Sequence, residues 1–238
     1  MKTPITYAFG FSLLALASAA RANLLVNGAL ESAIPPKQPD NLVYVTPSLN
    51  STALTGWTIE RGSIDIVPSS YYRSSQGNYS VDMVGTPGLG VISQSFTSIA
   101  SNQYILTFDF STDPNQGPLR EKLIRKIMRI QAIGQDGVTV LASQDFSDNV
   151  RSRSRTRMQW AQKSFTFTAD GTITTLRLAA IAVPLLPRHL TGDRLFTGVA
   201  IDNLDLEAGG GGSVPEPATL GVLSAAAAGL LMRRRRRA

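Results

Sequence analysis

The sequence predicts an all-β domain, a two-sheet sandwich, between two targeting segments. Three observations predict this organisation. Apolar and polar residues alternate in short runs that Gly, Pro, Asn and Asp interrupt, which is typical of strands. The 238-residue chain has no cysteine, so a domain of this size depends on a hydrophobic core and not on disulfides. Both ends differ from the middle in hydropathy and in charge.

The clearest strand lies at residues 104–110. Tyr104, Leu106 and Phe108 share one face of an extended chain, and that face predicts core. The run ending at residue 133 is followed by Gly-Gln-Asp-Gly and a second run at 138–142, which predicts a hairpin because Asp-Gly accepts positive φ. Further strands among the expected eight or nine are predicted at 64–67, 79–84, 91–96, 164–168, 176–181 and 200–206.

Residues 119–130 fit two patterns, and both stay open at this point. Apolar residues recur there at helical spacing with basic residues between them, as in a basic amphipathic helix. Residues 123–133 also fit a strand with one charged face, which we favour because it completes the hairpin. The apolar positions of the helical pattern are Leu119, Leu123, Ile127 and Ile130.

The N-terminal segment, residues 1–22, resembles a secretory signal peptide in its order of charges and apolar residues. Lys2 precedes an apolar run at 7–17. Ala20 and Ala22 then place small residues at the two positions that a signal peptidase inspects. We expect cleavage after Ala22 and export of the domain that follows.

The C-terminal segment, residues 214–238, consists of a proline motif, an apolar run at 218–232 and a basic cluster. An uncharged stretch closed by arginines is held in a bilayer with the arginines on the cytoplasmic side. At 15 residues the run is shorter than the roughly 20 of a comfortable span, which favours transient residence in the membrane. The motif is Val214, Pro215, Glu216 and Pro217, and the cytoplasmic anchor is Arg233, Arg234, Arg235, Arg236 and Arg237.

These three parts, in this order, resemble the PEP-CTERM sorting signal of Gram-negative bacteria. The resemblance implies recognition by an exosortase in the inner membrane, cleavage near the Pro-Glu-Pro motif, and release to the cell surface or the extracellular space. An ordinary tail anchor is the alternative. Residues 209–213, Gly-Gly-Gly-Gly-Ser, form a flexible linker between the domain and the signal.

The basic charge of the chain belongs to its ends. Residues 23–213 hold 16 of the 23 Lys and Arg and 16 of the 17 Asp and Glu, because Lys2, Arg21, the terminal arginines and Glu216 lie outside. The exported domain is therefore neutral, and the sequence pI of about 9.9 does not indicate a nucleic-acid partner.

Short motifs spread over residues 23–206 resemble the choice-of-anchor C family of exported bacterial proteins. They include Asn-Leu-Leu-Val-Asn-Gly at 23–28, Gly-Asn-Tyr-Ser-Val-Asp at 77–82 and Ile-Asp-Asn-Leu at 201–204. The resemblance implies a galactose-binding-like jelly-roll β-sandwich over residues 23–208. Leu30 departs from the pattern, since an aromatic residue is usual there.

The same resemblance implies a structural metal. Glu31 and Asp202 occupy positions that, in related carbohydrate-binding sandwiches, hold Ca²⁺ together with backbone carbonyls. Hard oxygen ligands from the two ends of the domain would pin the terminal strands to each other. The alternative is a surface carboxylate at each site without a metal.

A candidate ligand site is the loop containing Tyr71, Tyr72 and Arg73. Sugar rings stack on aromatic faces while polar groups bind their hydroxyls. The alternative is that one tyrosine caps the core and the other is merely exposed. Trp57 and Trp160 are predicted to lie in the core because each adjoins an alternating strand.

A basic run offers a second possible contact for an acidic polysaccharide. In an extended backbone its four arginines would share one side, although a charge run is more often a solvated loop. These residues are Arg151, Arg153, Arg155 and Arg157.

Catalysis finds little support in the sequence. The single histidine, His189, lies in a proline-flanked segment, and no Gly-x-Ser-x-Gly motif occurs. We expect a non-enzymatic, exported protein of the cell surface or matrix that associates with polysaccharide. A purely structural surface protein is the alternative, and a glycoside-active enzyme is a third and weaker one.

Overall fold

The computed structural model describes residues 22–32, 44–45, 51–85, 88–112, 124–147, 154–184 and 198–209. Within these ranges the chain forms thirteen strands. They are β1 (Tyr44–Val45), β2 (Thr58–Arg61), β3 (Ile64–Pro68), β4 (Tyr79–Asp82), β5 (Val84–Gly85), β6 (Gly88–Leu89), β7 (Val91–Thr97), β8 (Gln103–Thr112), β9 (Ile124–Ile133), β10 (Val140–Phe146), β11 (Ala161–Thr168), β12 (Ile173–Pro184) and β13 (Val199–Ala208).

The strands form two main antiparallel sheets, so the predicted all-β sandwich is confirmed. One sheet has six strands in the order β1-β3-β4-β13-β8-β11, and the other has five in the order β10-β9-β12-β7-β2. Strands β5 and β6 form a small separate ladder. The last strand, β13, lies between β4 and β8, so the six-stranded sheet is complete only when the two ends of the domain meet.

The core lies between the two sheets and follows the alternation seen in the sequence. On β8, Leu106, Phe108 and Phe110 are at most 1% exposed, while the residues between them are half-buried. Facing side chains from the five-stranded sheet include Met128 and Ile130 on β9. This period of two selects strands over helices and fixes which face of each strand meets the core.

Strand β9 settles the ambiguous segment in favour of the strand. Residues 124–133 pair with β12 on one side and with β10 on the other. The predicted hairpin turn is confirmed: the Gly134 N–H donates to the Thr139 carbonyl at 2.8 Å, and Gly137 has a φ of +74°. Residues 119–123 lie outside the described part of the chain.

The start of the domain, residues 23–26, is bound along β13 and β7. The Leu24 N–H donates to the Leu206 carbonyl at 3.0 Å, and the Asn23 side chain bonds both to the Leu204 carbonyl and to the Leu206 N–H. Gln94 of β7 holds the next residues, since its amide bonds both backbone groups of Val26. The two ends of the domain are therefore adjacent in space.

The two targeting segments lie almost wholly outside the described residues. Ala22, the first described residue, is exposed, whereas Ala20, the proline motif at 214–217 and the arginines at 233–237 are not described. His189 also lies outside. Among the residues that the structure does describe, no helix is long and apolar enough to cross a bilayer.

Replacing Gln94 should destabilise the domain. Gln94 is 6% exposed, and its amide also donates to the Gly56 carbonyl at 2.8 Å. Gln94→Leu leaves these partners without their bonds, so we expect a loss of about 2 kcal/mol or more in the free energy of unfolding. Denaturant unfolding measures it. Gln131→Leu, at a half-buried position of the same sheet, is the matched control, and an equal loss there would contradict the assignment.

Candidate functional site

Two loop segments, 69–78 and 154–160, cover the outer face of the six-stranded sheet, the face turned away from the main core. Val67 of β3 and Ala200 of β13 project from this face and form a second apolar cluster with Tyr72 and Met158. All four are at most 5% exposed. The cluster attaches both segments to the sheet and positions the side chains around it.

The predicted site residues Tyr71, Tyr72 and Arg73 differ in their exposure to solvent. Tyr72 is 4% exposed and belongs to the second cluster, so its ring faces the sheet and presents no platform. Tyr71 is half-buried beside it, with ring centroids 4.8 Å apart, and Arg73 is exposed. Both tyrosine N–H groups donate to the Pro68 carbonyl, which makes the tight turn that buries one ring and not the other.

Arg155 stacks on Tyr71. Its guanidinium carbon lies 3.9 Å from the centroid of the ring, the geometry of a cation–π contact. Arg155 follows Ser154 in a turn that the Arg157 N–H closes on the Ser154 carbonyl at 3.0 Å. The extended run with arginines on one side is therefore wrong for residues 154–157, while 151–153 lie outside the described residues.

Trp160 completes this group, which we call the aromatic patch: Tyr71, Arg73, Arg155 and Trp160. The prediction that both tryptophans lie in the core is confirmed for Trp57, at 3% exposed, but wrong for Trp160. Trp160 is half-buried against the second cluster, and its indole N–H donates to the Arg73 carbonyl at 2.8 Å. Sequence reasoning missed Trp160 and the place of Arg155, since only the strand order brings 155–160 beside 71–73.

The backbone between the patch and the sheet is strained. Gln159 has a φ of +50°, a left-handed conformation that non-glycine residues rarely adopt, and its side chain is exposed. The preceding residue is fixed from both sides: Met158 is buried, and its carbonyl accepts a hydrogen bond from the Ser111 hydroxyl. Strain of this kind persists where the surroundings over-determine it, and it concentrates at binding sites.

The loop that follows Arg73, residues 74–79, is bound by carboxylates. Both oxygens of Glu31 accept the Asn78 N–H, at 2.9 and 3.0 Å, and Oε1 also accepts the Tyr79 N–H at 3.1 Å. Gly77 lies against this carboxylate with a φ of +59°, and a Cβ there would be 2.4 Å from Glu31 Oε1. A larger residue at this position would have to displace the Glu31 carboxylate and adopt an unfavourable backbone conformation.

Asp202 of β13 binds the same loop from below. It is fully buried, and its Oδ2 accepts the Ser75 N–H at 2.8 Å and the Gln76 N–H at 3.1 Å. The Ser75 hydroxyl donates to Asp109 of the adjacent strand β8. Three carboxylates from distant parts of the sequence thus satisfy the backbone and a hydroxyl of one loop.

The pKa of Asp202 is raised from its ordinary 3.8 to about 6, chiefly because the carboxyl is buried; three backbone N–H bonds lower the pKa, and the charge of Glu31 adds a smaller rise. Both predicted carboxylates accept backbone N–H groups of the same stretch, residues 75–79. The structure therefore brings together the two residues that the sequence assigned to one site.

These carboxylates supply oxygens of the kind that Ca²⁺ prefers, but the loop turns N–H donors toward them. An ion would have to displace those donors and recruit backbone carbonyls to reach the six to eight oxygens of a calcium site. Among the described residues, no group of three or more Asp, Glu, His or Cys side chains is arranged to hold a metal. Calcium stays a prediction.

Asp202 should make the stability of the domain depend on pH. Its pKa in the folded state lies above its ordinary value of 3.8, so the folded protein keeps a proton that the unfolded chain has lost between about pH 4 and 6. The contribution of this proton to the free energy of unfolding is complete below about pH 4 and is lost as the pH rises through about 6. We expect the melting temperature, measured in chelator, to fall by a few degrees over this window.

Asp202→Asn should remove that fall. Asp136→Asn should keep it, because hydrogen bonds from Thr139 lower the pKa of the exposed Asp136 and place its titration below this window. A melting temperature that falls equally for the wild type and for Asp202→Asn between pH 4 and 7 would contradict the assignment.

The chain is 29% identical over 198 residues to Halomucin of Haloquadratum walsbyi (strain DSM 16790 / HBSQ001), a match that covers 83% of this chain and spans only 2% of the length of Halomucin.

Several of the solved structures to which the chain is similar are carbohydrate-binding modules. One, described as "CBM4 structure and function", is 13% identical with a TM-score of 0.41 and covers 78% of this chain and 99% of its own. A family 22 module of Clostridium thermocellum Xyn10B is 13% identical with a TM-score of 0.40, covering 73% and 98%. A family 35 module from the same organism is 19% identical with a TM-score of 0.36, covering 65% and 89%.

Two family models match the chain. One covers residues 213–237 and describes the PEP-CTERM protein-sorting motif, which implies export, exosortase processing and sorting to the cell surface. The other covers residues 23–185, more than half of the chain. The protein therefore belongs to the family described as "Protein of unknown function (DUF642)" and carries a C-terminal PEP-CTERM motif.

Proposed function

We propose that the exported domain associates with polysaccharide of the cell surface or matrix without cleaving it, through the aromatic patch. The observation that carries the proposal is the meeting of two half-buried rings, Tyr71 and Trp160, with two exposed guanidinium groups, Arg73 and Arg155, on one loop surface. We also propose that the protein is related to the exported choice-of-anchor C proteins and that signal peptidase cleaves it after Ala22.

The patch has the two chemical elements that sugar recognition uses. Aromatic rings that are partly exposed offer apolar faces or edges to the C–H groups of a pyranose. Guanidinium N–H groups donate to hydroxyl or carboxylate oxygens in the plane of the stacked group. The cluster beneath, anchored by Tyr72 and Met158, fixes the patch and so lowers the entropy lost when a ligand is bound.

The proposed activity is binding and not catalysis. Asp202 is buried beneath the loop, and Glu31 and Asp109 also accept hydrogen bonds from that loop. Their oxygens therefore face backbone and side-chain donors of the chain itself, which does not suit them as an acid and base flanking a glycosidic bond.

A structural protein without a small ligand is the second candidate. It is favoured by the contacts of Tyr71, whose ring already meets the Tyr72 ring and the Arg155 guanidinium. In this alternative the patch only packs one segment on the other, and the surface takes part in no specific recognition.

Binding assays on the exported domain, residues 23–213, separate these candidates. This segment contains both sheets and their shared core. We expect affinity electrophoresis and calorimetry against a panel of bacterial exopolysaccharides to show binding that Tyr71→Ala and Trp160→Ala each weaken by about five- to tenfold, the range of one aromatic contact.

Two controls accompany these variants. Tyr71→Phe keeps the ring and should keep binding, and Val138→Ala changes an 80% exposed apolar residue on the β9–β10 hairpin and should have no effect. Absence of binding across the panel, with every protein folded by circular dichroism, would favour the structural alternative.

We also propose the structural Ca²⁺ ion at Glu31 and Asp202, since both carboxylates lie at the 74–79 loop. A bound ion would stabilise the folded state by mass action. We expect the melting temperature at pH 7 to be about 5 °C or more higher in millimolar Ca²⁺ than in chelator. Mg²⁺ at equal concentration is the control. Equal melting temperatures in Ca²⁺ and in chelator would contradict the proposed calcium site.

A further inference from the structure

The geometry points to a lipid bilayer as the partner of one end of the sandwich, which contacts the membrane surface while the C-terminal segment anchors the chain. We call this surface the tethered end. It consists of the turns 98–102, 134–139 and 169–172, the strand residues Val140 and Ile173 that follow two of them, and Gly209. The inference goes beyond polysaccharide binding and does not depend on it, because the aromatic patch contributes no residue to this end.

Hydrogen bonds join the three turns into one surface. The Ser98 N–H donates to the Thr172 carbonyl at 2.9 Å, which connects the first turn to the third. The Gln135 side-chain oxygen accepts the Thr172 N–H at 2.7 Å, and Asp170 accepts the Gln135 N–H at 3.0 Å, which connects the second turn to the third. The turns of the tethered end are therefore fixed relative to one another.

The chain leaves the domain at this surface. The Gly209 N–H donates to the Gln103 carbonyl at 2.7 Å, immediately after the first turn. Nine residues, 209–217, then precede the apolar run at 218–232. Even a fully extended chain of that length spans at most about 30 Å. A bilayer that holds the apolar run therefore lies within reach of the tethered end.

Exposed apolar side chains concentrate at the tethered end. The described part of the chain has six large apolar residues that are exposed, and four of them lie here: Ile99, Val138, Val140 and Ile173. Val138 is 80% exposed and Ile99 is 63% exposed. Single exposed apolar residues are common on soluble proteins, whereas a concentration of them on one surface marks a contact.

The composition of the turns favours uncharged lipid over a charged partner. None of the three turns contains Lys or Arg, and both of their carboxylates already accept backbone N–H groups of these turns. Asp136 accepts the Val138 N–H, and Asp170 accepts the Gln135 N–H. Attraction therefore comes from the aliphatic side chains, which can enter the boundary between headgroups and acyl chains to a depth of about 5–10 Å.

The tether makes a weak contact sufficient. Four partly buried aliphatic side chains give a free domain only modest affinity for a bilayer, as a single acyl chain does. A short linker holds the domain near the membrane at an effective concentration in the roughly millimolar range. The contact thus forms while the chain is anchored and is lost when cleavage near residues 214–217 frees the domain.

The absence of cysteine from the chain permits a site-specific test. The chain without its signal peptide, residues 23–238, is reconstituted through its own apolar run into phosphatidylcholine vesicles. A fluorophore on one introduced cysteine then reports quenching by lipid that carries a spin label on its acyl chains. We expect quenching at Val138→Cys to be at least about fivefold stronger than at Arg61→Cys. Arg61 is exposed and pairs with Val91 at the opposite end of β7.

Serine substitutions locate the contact. With the label at Val138→Cys, Ile99→Ser and Ile173→Ser should each weaken quenching about threefold, because each withdraws part of one aliphatic side chain from lipid. Val26→Ser is the matched control and should have no effect, since Val26 is 60% exposed but bonds to Gln94 in the middle of β7. All three side chains are more than half exposed, so these substitutions leave the core unchanged.

Unchanged quenching at Val138→Cys in an equal mixture of phosphatidylcholine and phosphatidylglycerol would support an apolar contact. Equal quenching at Val138→Cys and Arg61→Cys would overturn the inference, as would a loss with Val26→Ser as large as that with Ile99→Ser. Quenching that requires phosphatidylglycerol or added exosortase would assign the surface to anionic lipid or to that enzyme and overturn it too. A chain that does not float with the vesicles would remove the anchoring on which the inference rests, while polysaccharide binding is unaffected by any of these results.

Discussion

The binding of the 74–79 loop by carboxylates is the constraint on which the rest of the surface depends. Backbone N–H groups that lose contact with water need acceptors, and this loop obtains them from Glu31 near the start of the domain and from Asp202 near its end. The Ser75 hydroxyl donates to Asp109 on β8, the strand that pairs with β13. The pairing of β13 with β8 brings Asp202 and Asp109 side by side, where both accept hydrogen bonds from Ser75.

The bound loop also restrains the aromatic patch, because the two are adjacent in the chain. Arg73 immediately precedes the bound segment, and Tyr72 is fixed in the apolar cluster, so the main chain of Arg73 has little freedom. Its carbonyl then orients the indole of Trp160. Recognition surfaces that are held in this way lose less entropy on binding than mobile loops, which is why loops on a rigid sandwich commonly carry specificity.

The sequence predicts the strands well because their signal is local. A period of two identifies the core face of β8 from Tyr104 onward, and an Asp-Gly pair identifies the β9–β10 turn. The patch could not be predicted in the same way. Whether Tyr71 or Tyr72 faces solvent depends on a turn closed on the Pro68 carbonyl, and the proximity of Trp160 to Arg73 depends on a strand order that local patterns do not contain.

The patch lies over the start of β13, and the sorting motif follows the end of that strand. Ala200, beneath the patch, pairs with Ser111 at the end of β8, whereas Ala208 pairs with Tyr104 at its start, about 25 Å away at the rise of an extended strand. The chain continues from Ala208 toward the sorting motif at 213–237. The patch and the point of attachment therefore lie at opposite ends of the same strand. Ala200, which packs beneath the patch, and Ala208, which precedes the sorting motif, are thus separated by the length of β13.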